Sequence, residues 1–98
     1  MRSPVPQEVL EELARVVGRW HQLPLDHALS RMPSVRAVVQ QLADAGAHQR
    51  GRTVAVVPQL GPEAVMDQLT VMVYDAFVTG PAEPSDVAGL LGSLRRSL

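Results

Sequence analysis

The stretch 61–80, GPEAVMDQLTVMVYDAFVTG, decides the fold class. Pro62 suits a first helical position, because the N–H it lacks would be an orphan there. Gly80 and Pro81 suit a left-handed cap and a stop. The helix between them is expected to be about 18 residues, roughly 27 Å long. At about 100° per residue, Val65, Met66, Leu69, Met72, Val73, Ala76 and Phe77 share one broad stripe. Val71, Tyr74 and Val78 fall on the other side, between Asp67 and Asp75. A helix apolar on both sides is either surrounded by its own chain or lends its second face to a partner. This helix is therefore expected at the centre of the fold.

The segments on either side read as partners for it. After a turn at 81–84, Ser85 is placed to cap a helix over 86–97, with Val87, Leu90, Leu91 and Leu94 on its apolar face. Arg95 and Arg96 suit its C-terminal end, where the helix dipole favours cations. Before the central stretch, TVAVV at 53–57 is β-branched and apolar. No second strand is available to pair with it, so an extended segment at about 53–58, lying over the helices, is expected. The polar residues 47–52 read as a loop.

Further back, Val35, Val38, Val39, Leu42 and Ala45 form a stripe for a helix from Pro33 or Ser34 to about Ala45, with Gly46 as its stop. Pro33 is expected to separate it from a short helix over 25–32, on which Leu25, Ala28, Leu29 and Met32 have helical spacing. The first helix is expected over 6–22. Val9, Leu10, Leu13, Val16, Val17 and Trp20 lie within about 120° of arc, and Trp20 has the largest apolar surface in the chain. Residues 1–5 read as a frayed lead-in. The sum is a single all-α domain over 1–98, with four longer helices and one short one.

Composition narrows the functional classes. The chain of 98 residues is 46% hydrophobic and 19% charged, which suits a globular core and is too apolar for disorder. Only Trp20, Tyr74 and Phe77 are aromatic, so the core must be aliphatic. A net charge of −1 argues against a general nucleic-acid binder, whose affinity rests on neutralising phosphates. No cysteine is present for disulfide or thiol chemistry. No apolar run reaches membrane-spanning length, and MRSPVPQEVL lacks the pattern of a signal peptide. A cytoplasmic location follows by default. All nine basic residues are Arg, and Lys, Ile and Asn are absent. These three have A/T-rich codons, so the bias points to a G+C-rich bacterial genome rather than to phosphate recognition.

No pattern of catalytic residues emerges. His21, Asp26 and His27 are close in sequence, but no histidine pair has the i,i+4 spacing of a zinc helix. Asp67 and Asp75 are separated by about 12 Å along a helix and diverge around it, farther apart than the carboxylates of glycosidases. They read as ion-pair partners, with Arg31 and Arg36 as candidates. No serine lies in a nucleophile motif. No cofactor, metal or catalytic residue is assigned.

One alternative involves DNA. A helix holding Val35 to Ala45, then Gly46, a polar turn and TVAVV, resembles the recognition helix and wing of winged helix-turn-helix proteins over about 25 residues. That resemblance implies a small DNA-binding regulator with a basic stripe over Arg31, Arg36, Arg50 and Arg52. The leading expectation is a non-enzymatic helical module that binds a protein partner or a second copy of itself. Val71, Tyr74 and Val78 form the candidate interface unless 53–57 or the last helix covers them.

Overall fold

A computed structural model of the chain describes residues 3–49, 51, 57–78 and 82–98. Helix α1 (Gln7–Gln22) forms where the sequence places it. Val9, Leu13, Val16 and Trp20 are all buried, at i, i+4, i+7 and i+11. The Pro6 carbonyl accepts the Val9 and Leu10 N–H groups at its start, and Leu23 N–H closes its end on the Trp20 carbonyl. Val5, expected in a frayed lead-in, is buried in the core instead. Its N–H donates to Ser3 Oγ at 3.2 Å, which fixes the entry of the chain.

Helix α2 (Leu25–Gln49) corrects the expected break at Pro33. The short helix over 25–32 and the helix over 34–45 are one element, so the fold has four helices among the described residues. Ala28, Met32, Val35, Val39 and Leu42 are buried at i, i+4, i+7, i+11 and i+14, and this stripe passes Pro33 without a change of phase. Pro33 itself is exposed. A proline inside a helix costs about 3 kcal/mol. Burying Met32 and Val35 on either side of it contributes about 1.5–3 kcal/mol each, which offsets that cost. Gly46 is no stop either, and α2 continues through it to Gln49. The described glycine with a left-handed φ, 66°, is Gly51.

Most of the expected extended segment, 53–56, lies outside the described residues. Its end, 57–60, lies against α2. Val57 N–H donates to Gln40 Oε1 at 2.8 Å, and Arg36 Nη2 donates to the Leu60 carbonyl at 3.3 Å. Helix α3 (Val65–Val78) starts later than Pro62. Residues 61–64 form a turn whose Gly61 carbonyl accepts both Ala64 and Val65 N–H. The Pro62 carbonyl accepts Trp20 Nε1–H at 3.1 Å, so the expected first turn is used to hold α1. The expected stop at Gly80 and Pro81 lies outside the described residues. Helix α4 (Pro84–Ser97) begins with Pro84 in its first turn after Glu83, and Ser85 is inside it rather than capping it.

The helices form a bundle in which the first two helices do not pack along each other, and neither do the last two. Helix α1 packs along α4 and α2 along α3, with lesser contact between α2 and α4 and between α1 and α3. The ring order is therefore α1, α4, α2, α3, which places α1 diagonal to α2 and α3 diagonal to α4. The packed pairs run parallel. Glu12 meets Arg95, and Arg19 Nη2 reaches the Leu98 carbonyl. Gln68 lies beside Arg36 and Gln40, and Ala76 beside Leu42 and Ala45. Helix α3 is thus one side of a square, not its centre. The core is one aliphatic cluster with Trp20 at one end.

Glu12 ties α1 to α4, with Oε2 3.1 Å from Arg95 Nε and Oε1 3.0 Å from Arg15 Nη1. The hydrogen bond from Arg95 is the main cause that holds its carboxyl below the ordinary carboxylate range, assisted by Arg15. A depressed folded-state pKa means the contribution is present above the ordinary carboxylate pKa. It is lost as pH falls through the folded value. Glu12→Gln should therefore cost about 0.5–1 kcal/mol at pH 7 and remove part of the acid sensitivity below about pH 4.5, read by urea denaturation across pH. Gly92 lies beside this bridge, where an added Cβ would sit 3.3 Å from Arg96 Nη1 and 3.7 Å from Glu12 Oε2. Gly18 and Gly89, by contrast, are exposed inside helices with open space around them. Gly18→Ala and Gly89→Ala should each stabilise the fold by about 0.5–1 kcal/mol, additively, in the same assay.

Candidate interaction face on α3

The inner side of α3 is fixed by Val65, Met66, Leu69 and Val73, all buried. Met72 and Phe77 pack against the same core from its edges. The 3.6-residue period then turns Val71, Tyr74 and Val78 outward, at i, i+3 and i+7, within about 60° of arc. They are 59%, 37% and 65% exposed. With Thr70 and Asp75 they line a shallow open depression. Thr70 Oγ1 is turned back onto the Met66 carbonyl at 2.9 Å, so its methyl is what completes the surface. Helix α4 lies across the bundle diagonal from α3 and gives this face no cover. The other cover considered, 53–57, lies outside the described residues except for Val57.

Three further large apolar side chains are exposed. Leu25, Leu29 and Leu60 are 66%, 50% and 39% exposed. Leu25 and Leu29 have helical spacing with Ala28 and Met32, but only the latter two are buried. In the single helix α2, Leu29 is turned about 100° from Ala28 and about 60° from Met32, away from the stripe, whereas Leu25, seven residues before Met32, is on the same side as Met32 and is exposed at the first residue of the helix.

The residues weighed for chemistry do not come together. His21 and Asp26 are exposed, and Asp26 Oδ1 accepts the His27 N–H of its own turn at 3.0 Å. His27 is half-buried, with Nε2 buried and unpartnered. Among the described residues no group of three or more metal-binding side chains is gathered. Trp20 is a core residue whose one polar side-chain atom, Nε1–H, donates to the Pro62 carbonyl. Asp67 is exposed, and among the described residues no ion pair joins it to Arg31 or Arg36. Arg36 is used on the Leu60 carbonyl.

The features that suggested a winged helix are also rearranged. Its candidate recognition helix is the middle of α2, with no turn before it at Pro33 and none after it at Gly46. The candidate wing, with Arg50 and Arg52, lies outside the described residues. No described helix is long and apolar enough to cross a membrane. No protein-family model, curated protein or solved structure matches this chain.

Proposed function

We propose that this chain is a non-enzymatic interaction module that uses the outer face of α3 to bind a protein partner, in the first place a second copy of itself. The observation that carries the reading is the row Val71, Tyr74 and Val78, exposed on one side of a helix whose other side is fully committed to the core. Aliphatic residues around a tyrosine suit an interface, because the ring is apolar while the hydroxyl can find a partner there. The row spans only about 10 Å, which suits a weak association in the micromolar range rather than an obligate one.

Sedimentation equilibrium of the wild type and of Tyr74→Glu tests the self-association form. The substitution puts a charge in the middle of the contact and should raise the dimer dissociation constant at least about tenfold. The monomer fold should change by no more than about 0.5 kcal/mol, because the position is exposed. A wild type that stays monomeric at every concentration, with Tyr74→Glu indistinguishable from it, would remove this form of the proposal.

A further inference from the structure

The bundle is divided in an unusual way. The N-terminal half, α1 and α2, has almost no packing between its own two helices, and the same holds for α3 and α4. Nearly all helix-to-helix packing is between the halves, through α1 on α4 and α2 on α3. Val9, Leu13, Val16 and Trp20 on one side, and Leu69, Val73, Leu91 and Leu94 on the other, are therefore buried only when both halves are present. The groups that fix 57–62 also act between halves: Gln40 on Val57, Arg36 on Leu60 and Trp20 on Pro62. A single connection, 50–56, joins the two units.

From this division we infer that two copies of the chain can exchange halves, with α3 and α4 of one copy completing the core of the other. This does not depend on the α3 face. The exchanged dimer would keep every contact named above, because each is a contact between halves and it does not matter which chain supplies them. Only the course of 50–56 changes. Such exchange is a low-cost route to dimers. Its competitor is closure onto the chain's own half, which a short connection favours with an effective concentration in the millimolar range. Exchange is therefore a product of folding at high concentration. Once formed it is trapped, since reversal requires separating the halves and exposing the core.

The test uses the full-length chain with a protease site placed within 50–56, in the Tyr74→Glu background so that association through the α3 face is suppressed. The protein is unfolded in guanidinium, refolded at about 1 μM and at about 5 mM, far below and within the millimolar effective concentration of a short linker, and sized by light scattering before and after cleavage. The expected result is monomer from the dilute sample and a substantial dimer fraction from the concentrated one. Cleavage should then halve the dimer mass to 10.6 kDa and leave the mass of the monomer unchanged, its two fragments still bound. A sample that is monomeric at both concentrations overturns the inference, as does a dimer that survives cleavage. The α3 face is judged separately, from the same chain with Tyr74 restored: a dimer there that survives cleavage supports that face and owes nothing to exchange.

Discussion

Leu69→Ala is expected to cost about 3–4 kcal/mol of folding stability. Leu69 is completely buried on the inner side of α3, among the largest of the fully enclosed side chains. Its truncation removes about three carbons from a close-packed site and leaves a cavity that the surrounding helices can only partly close. A domain of this size has about 5–15 kcal/mol in total. The substitution should therefore remove a fifth or more of the stability, and at the lower bound leave the chain on the edge of unfolding. Val71→Ala, two residues away and facing out, should change stability by about 0.5 kcal/mol or less. Urea denaturation of the pair reads the orientation of α3 directly. Equal costs at the two positions would mean that α3 is rotated from the arrangement described here, and that its outer face is not free.

The second large effect has the opposite sign. Pro33→Ala should stabilise the protein by about 2–2.6 kcal/mol. Proline in a helix interior is about 3 kcal/mol less favourable than alanine. Part of that difference is cancelled because proline also restricts the unfolded chain, by about 0.4–1 kcal/mol. The position is exposed, so alanine removes no core contact, and its N–H restores the missing bond to the Leu29 carbonyl. For a domain of this size, a melting temperature higher by roughly 8–20 °C follows. A destabilised variant would show that the core depends on a bend at Pro33, and that α2 is in effect two helices.

These two predictions mark where the sequence was legible and where it was not. The helical class, the buried stripes of α1 and α3, and the outward row of α3 follow from the spacing of apolar residues alone, because burial on one side of a helix needs nothing but its period. Pro33 misled because local geometry argues for a break at Met32, whereas the outcome is decided by apolar residues a turn away on both sides. Gly46 misled in the same way, since a glycine permits a stop but does not require one. The role of the Pro62 carbonyl as acceptor for Trp20, and the diagonal placement of α1 to α2 and of α3 to α4, were not legible at all. Both depend on which helices meet in space, and amphipathic stripes do not encode their partners.

The central claim is that the outer face of α3 is the surface through which this chain meets its partner. Dilution of isotope-labelled wild-type protein from about 500 μM to 10 μM, followed by NMR, tests it at residue resolution across the expected micromolar range of a small interface. The account predicts that the methyl signals of Val71 and Val78 and the ring signals of Tyr74 shift together along one binding curve, while those of Leu25, Leu29 and Leu60 stay fixed. Spectra independent of concentration, or shifts confined to Leu25, Leu29 and Leu60, would contradict it.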